Sequence, residues 1–209
     1  MNTLILDCTN GLYVAVVANN KSYEFIDVNA KQQSNSLLEK IDELLIAAGL
    51  NIKDINVIAL CVGPGSFTGI RVALATAKGL AVGAGAKIVT FNTFEAVSVS
   101  LKDRNYGVIV EGFGNNYYYH FKKFGKLFQG CSTPDKLMVL AKDIPVYSTS
   151  DTVCQAIKDF KVQHAAYNGK LAVDGKIKQN CWVETNQIAP LYLRASQAEL
   201  ERLKNGNKI

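Results

Sequence analysis

Histidine is scarce in this chain, with only two in 209 residues. His120 and His164 stand alone, and neither has the i, i+4 partner that a zinc-peptidase helix uses. The five cysteines, Cys8, Cys61, Cys131, Cys154 and Cys181, include no C-x-x-C pair. An odd, unpatterned set speaks against a disulfide framework and for reduced thiols in the cytoplasm. No apolar run approaches the ~20 residues that span a bilayer. The opening stretch has no basic region and meets Asp7 after three apolar residues, so neither a signal peptide nor membrane association is expected. Without clustered ligands or a Ser-His-Asp or Cys-His constellation, no catalytic residue, metal or cofactor is expected either.

Charge is unevenly spread. The whole chain carries +5. Residues 1–100 hold seven Lys/Arg against eight Asp/Glu, and the remainder sixteen against ten. The basic second half is either a lysine-rich solvated surface or a face toward an RNA backbone, which is bound through Lys and Arg.

Periodicity gives the organisation. Leu4–Asp7, Tyr13–Ala18 and Ser22–Val28 read as a three-stranded meander, turned at Asn10-Gly11 and Asn19-Asn20. A helix follows over Ser36–Ala48, with Ser36 and Glu39 as a capping box and Gly49 as its stop. Val57–Val62 and Lys87–Phe91 suit strands buried on both faces. A helix over 66–83 lies between them, and a short one over 93–101 comes after. The second half repeats this order less faithfully: strands at 106–110, 116–123, 126–129 and 144–147, and helices from Thr133-Pro134 to Ala141 and from Asp151 to Lys158. Residues 161–189 give only weak strand signals, and 196–204 reads as a polar helix. Two such units on one chain describe an α/β fold that is a duplicated ribonuclease H-like (actin-like, ASKHA) arrangement of mixed sheets flanked by helices. The subdomains expected are 1–102 and a reduced 103–209.

The segment Gly63-Pro64-Gly65-Ser66-Phe67-Thr68-Gly69-Ile70-Arg71 joins a buried strand to a helix, where backbone N–H groups and a helix dipole could receive an anion. A Walker A loop needs Lys then Ser/Thr after its last glycine; here Ile70 and Arg71 follow. The helix behind the turn is more informative. Gly69, Ala73, Ala77, Ala81 and Gly85 form one stripe without bulk, and Ala75, Gly79 and Gly83 a second. Glycines inside a helix cost about 1 kcal/mol each relative to alanine, which close helix-on-helix approach would offset. One stripe is accounted for by the chain's own sheet. Two, beside a leucine-rich preceding helix, predict a docking surface for a partner's helices.

Asp7 ends the first strand. In actin-like ATPases and ribonuclease H-like nucleases an acid there organises a metal or phosphates, so Asp7 and Thr9 mark where a nucleotide turn would sit. Several convergent carboxylates would be needed, and the next buried strand ends in Val62-Gly63. The other reading of Asp7 is a hairpin turn shaped with Thr9 and Asn10.

The nine-residue turn, followed by Ala75-Thr76-Ala77-Lys78-Gly79-Leu80, resembles the signature of the TsaB (YeaZ) family, the non-peptidase homologues within the glycoprotease family. Leu4–Thr9, Ser36–Leu50, Asn92–Ala96, Pro190–Arg194 and Ser196–Glu199 match further motifs of that family. The sequence departs from it at Gln33-Ser34-Asn35, where His-Ser-Glu is usual, and at Glu111-Gly112-Phe113, where Asp-Ala-Arg is usual. The resemblance implies a non-catalytic scaffold in tRNA threonylcarbamoyladenosine biosynthesis. Its implied partner is TsaD, the subunit that modifies the adenosine next to the anticodon, with TsaE joining in a ternary complex and any tRNA contact indirect. Alone, the docking face is expected to form a two-fold homodimer. The face is expected to comprise Leu37, Leu38, Ile41 and Leu45 of the first helix, with Gly69, Ala73, Thr76, Ala77, Gly79, Leu80 and Gly83 of the second. The competing expectation is an actin-like-fold ATPase or kinase that binds nucleotide at the Asp7 turn; a nuclease is disfavoured by the missing acid.

Overall fold

The computed structural model describes residues 1–28, 33–157 and 161–194. The polar helix expected over 196–204, and Lys158 at the end of another, lie outside the described residues.

The first half opens with β1 (Thr3–Asp7), β2 (Leu12–Ala18) and β3 (Lys21–Asp27). The β2–β3 turn is made by Asn19 and Asn20, both at positive φ, the conformation that matches the right-handed twist of the paired strands. At the β1–β2 turn only Gly11 has a positive φ, so the two-residue turn expected at Asn10-Gly11 is instead a longer loop. Then follow α1 (Gln33–Ala47), β4 (Val57–Cys61), α2 (Phe67–Ala84), β5 (Lys87–Phe91) and α3 (Thr93–Ser98). Ser36 lies within α1 rather than capping it, because the helix begins three residues earlier. Ser66 does cap α2, its Oγ accepting from the Gly69 N–H at 3.1 Å, and Gly85 closes it with φ +66°.

The second half contains β6 (Tyr106–Glu111), β7 (Tyr117–Lys123), β8 (Lys126–Ser132), α4 (Pro134–Leu140), β9 (Val146–Ser148), α5 (Asp151–Ala156), β10 (Val162–His164) and α6 (Gly169–Lys178). Ser150, not Asp151, caps α5. The weak stretch 161–189 contains a helix, α6, that the periodicity did not show.

Sheet order is β3-β2-β1-β4-β5 in the first half and β10-β9-β6-β7-β8 in the second. Read from its meander edge, the second order is β8-β7-β6-β9-β10, the same wiring again. The meander pairs are antiparallel, and β1–β4, β4–β5, β6–β9 and β9–β10 are parallel. This is the duplicated ribonuclease H-like fold, with the second copy reduced to helices α4 and α5 of seven and six residues.

Each sheet is covered on both faces. Leu4, Leu6, Val14 and Val16 pack with Leu37, Ile41 and Leu45 of α1 and with Ala73, Ala77 and Ala81 of α2. The other face of that sheet, through Ile5, Ala15, Ala59 and Val89, meets Ala172 and Val173 of α6. In return, Phe94 and Val97 of α3 pack on Val108 and Val110 of the second sheet. Each half thus lends its last helix to the other's sheet. The α6 sequence is only weakly amphipathic, so its helix is held mainly by this packing.

Candidate functional site

The glycine-rich turn lies against the β1–β2 loop. Ser66 N–H donates to the Thr9 carbonyl at 2.7 Å. A Cβ on Gly65 would come within 2.3 Å of that same oxygen, and one on Gly69 within 2.0 Å of the Cys8 carbonyl. Both glycines are therefore required by the close approach of α2 to the end of β1. Thr93 ties the same corner together: its Oγ1 donates to the Pro64 carbonyl at 2.9 Å.

Asp7 is buried, with 4% of its surface exposed. Its Oδ1 accepts from the Thr9 N–H at 2.7 Å, and its Oδ2 accepts from the Tyr167 hydroxyl. The residue turns the hairpin with Thr9, and its second oxygen is taken by a tyrosine from the far half of the chain. Burial and the Asp7 charge push the Tyr167 phenol well above its ordinary range. The same two causes push the Cys8 thiol up to about 12. Among the described residues, no group of three or more His, Cys, Asp or Glu is arranged to hold a metal ion.

Above this corner runs a cleft of about 770 Å³, lined by Thr9, Asn10, Ser66, Phe67 and Arg71 on one side and by Glu111, Phe113 and Tyr118 on the other. The segment 188–194 straps the two sides. The Leu191 N–H donates to the Val62 carbonyl at 2.8 Å, and Lys78 Nζ to the Ile188 carbonyl at 3.4 Å. Tyr192 stacks on Phe67 at 5.0 Å and accepts from Arg71 Nε at 3.1 Å. The Arg71 guanidinium lies 3.9 Å over the Phe67 ring. At the other end, Arg194 donates to the Phe113 carbonyl at 3.4 Å. Phe67 and Arg71 of the signature are thus spent on holding the chain's own closing segment.

The outer surface of α1 and α2 is the second candidate site. The two helices lie side by side on one face of the first sheet. Of the residues expected there, Leu37, Ile41, Leu45, Gly69, Ala73 and Ala77 face the chain's own core. That accounts for one small-residue stripe. Thr76 and Leu80 are half-buried, while Leu38, Gly79 and Gly83 are exposed. The second stripe, Ala75, Gly79 and Gly83, looks outward, and a Cβ on Gly79 or Gly83 would meet nothing within 4 Å. Beside it Val82 is 75% exposed, and on α1 Leu38 and Ile46 are 55% and 77% exposed. The helical phase shared by Ile70 and Ala73 could have separated the inward stripe from the outward one. Nothing local to Phe67 or Asp7 points to Tyr192 or Tyr167.

Known proteins bear on this arrangement. The model of the family described as "TsaD: tRNA N6-adenosine threonylcarbamoyltransferase" matches residues 27–138, more than half of the chain. The chain belongs to the TsaD family. Its relatives there include TsaB proteins and the tRNA N6-adenosine threonylcarbamoyltransferase of Maricaulis maris, to which it is 35% identical over 74 residues, 35% of this chain and 20% of that protein. The chain is 30% identical over 99 residues to the tRNA threonylcarbamoyladenosine biosynthesis protein TsaB of Haemophilus influenzae, covering 47% of this chain and 42% of that protein. It is 35% identical over 63 residues to TsaB of Escherichia coli, covering 30% and 27%. The matched stretches thus span less than half the length of these TsaD-family relatives. The solved structure of YeaZ from Pseudomonas aeruginosa superposes with a TM-score of 0.74 at 18% identity, over 92% of this chain and 99% of that one. It shares the fold.

Proposed function

We propose that this chain is a non-catalytic scaffold subunit that docks on TsaD and supports formation of threonylcarbamoyladenosine on tRNA, next to the anticodon. The observation that carries the reading is the pair of glycines on the outer face of α2. Each costs about 1 kcal/mol relative to alanine in a helix interior. At Gly69 that cost is offset inside the chain, where only hydrogen fits against Cys8. At Gly79 and Gly83 no neighbour within the chain needs the space. A partner helix lying flush against bare backbone would need it.

The scale is suitable. Helices of 15 and 18 residues are about 22–27 Å long at ~1.5 Å per residue. Side by side they offer something near the ~800 Å² per partner of a standard interface. Small residues bring helix axes toward the low end of the ~8–10 Å packing range. The docking positions are the outward ones: Leu38 and Ile46 of α1, with Ala75, Thr76, Gly79, Leu80, Val82 and Gly83 of α2. TsaE would join the pair in a ternary complex, and without TsaD the same face would close a two-fold dimer.

The nucleotide reading is less well supported. Both Asp7 oxygens already accept hydrogen bonds, and Gly65-Ser66 presses on the loop where phosphates would lie. The test combines two measurements. Mixed with TsaD, the chain should co-elute in size-exclusion chromatography and raise tRNA threonylcarbamoylation above that of TsaD without it. In calorimetry the isolated chain should take up no ATP-magnesium. Tight nucleotide binding with no effect on TsaD would favour the ATPase or kinase instead.

A further inference from the structure

The β7–β8 hairpin ends in Lys122-Lys123-Phe124-Gly125-Lys126. Phe124 and Gly125 both have positive φ, so a tight two-residue turn carries the phenylalanine at its tip. Phe124 is 85% exposed, and its N–H donates to Asn105 Oδ1 at 2.8 Å. The ring is therefore presented on a backbone tied to the loop that leads into β6. That loop adds Lys102 and Arg104, both exposed. Strand register places Lys123 opposite Lys126, and Lys122 opposite Tyr106, over whose ring its ammonium sits at 6.0 Å. The loop before β9, which carries exposed Lys142, lies at the same end of the sheet, where the Gly107 N–H donates to the Pro145 carbonyl at 2.8 Å.

Six cations thus gather at one end of the second sheet, and among the described residues none of them is in an ion pair. The acids in the same loops are Asp103 and Asp143, and Asp103 accepts from the Tyr147 hydroxyl at 2.6 Å. Much of the second half's positive excess is concentrated here.

We propose that this end of the second sheet binds RNA, with Lys122, Lys123 and Lys126 on phosphates and Phe124 stacked on an unpaired base. Lysines contribute attraction to a phosphate backbone without regard to sequence, and an exposed aromatic ring adds stacking on any base that is free of a duplex. A phenylalanine raised above the cations on a fixed turn combines the two. An acidic protein surface would match the lysines but give the ring nothing to stack on. The inference rests on the role in tRNA modification proposed above, which supplies an RNA with unpaired bases. The hairpin belongs to the second sheet, whereas α1 and α2 cover the first.

The full chain is titrated with an unmodified tRNA transcript over a range of salt. Lys122→Glu/Lys123→Glu/Lys126→Glu should weaken binding by about tenfold or more and reduce the slope of log K against log salt by about two to three. Phe124→Ala should weaken binding by roughly five- to a hundredfold and leave the slope unchanged. Lys21→Glu/Lys53→Glu/Lys178→Glu changes the net charge equally and should cost far less. The proposal is overturned by a hairpin variant that melts like the parent and keeps its affinity and slope. It is equally overturned if the control weakens binding as much, or if the parent shows no salt-dependent binding. Docking on TsaD is read separately by co-elution, so failure of either surface leaves the other's result intact.

Discussion

Arg71 and Tyr192 are 121 residues apart in sequence, and the guanidinium of one donates from Nε to the hydroxyl of the other at 3.1 Å. Phe67 completes the contact, stacked on Tyr192 and lying under Arg71. Two residues of the signature turn therefore act on the closing segment, and through it they join the halves. Arg71→Ala should cost about 1 kcal/mol in denaturant unfolding, and Tyr192→Phe somewhat less. The double variant should show coupling of several tenths of a kcal/mol. Strict additivity would mean that the contact contributes nothing.

The glycines of α2 should respond in opposite directions. Gly69→Ala places a methyl group 2.0 Å from the Cys8 carbonyl and should destabilise by about 3 kcal/mol or more, because backbone must move. Gly79→Ala meets open space and should stabilise the isolated chain by about 1 kcal/mol. Thermal melting of both variants checks the contrast.

Alkaline pH should unfold the chain earlier than surface charge alone would. Burial pushes the thiol of Cys8 up to about 12, and raises Cys61 and Tyr167 as well. In the unfolded chain a thiol titrates near ~8.5 and a phenol near ~10. The unfolded state therefore gives up protons first as pH rises. The stability tied to these neutral groups is complete below about pH 8.5 and falls above it, by up to ~1.4 kcal/mol per pH unit for each group in its window. Cys8→Ala should flatten the loss between about pH 9 and 12. An unchanged slope in that variant would contradict the assignment.

His120 should act at the other end of the scale. Its ring is stacked on Phe94 at 5.2 Å, and its Nδ1 is buried without a hydrogen-bond partner. Burial lowers its pKa, so the stability it affects is present above about pH 6.5 and is lost as pH falls and the unfolded imidazole takes up its proton. His120→Phe should be neutral or stabilising, by up to ~1 kcal/mol at pH 7, and should reduce the acid sensitivity. Denaturant unfolding at pH 5 and pH 7 distinguishes this from simple loss of packing.

Local signals made much of the fold legible. Short apolar runs separated by turn residues gave the meanders, continuous apolar runs gave β4 and β5, and the glycine-rich turn gave the start of α2. Helix α6 was hidden because Gly169 and Gly175 read as turn signals, and because the face it packs on belongs to a sheet some 80 residues earlier in the chain. The same non-local dependence hid Tyr167 and Tyr192, whose roles exist only once the halves meet. The small-residue stripes were visible as a pair, and the pattern of alanines alone does not say which one turns inward. The approach of Gly69 to Cys8 decides it, since it fixes the rotation of α2 about its own axis.

That rotation leaves Gly79 and Gly83 facing outward, and the account depends most on what they meet. The decisive measurement is a calorimetric titration of TsaD with Gly79→Leu/Gly83→Leu beside the parent chain. Leucines at positions with nothing within 4 Å should leave the fold intact and its melting temperature equal or higher, since leucine is the better helix former. Affinity for TsaD should nonetheless drop by about a hundredfold or more, because two side chains would hold the partner helix away from the backbone. A folded double variant that binds TsaD as tightly as the parent would show that the bare stripe is not the docking face.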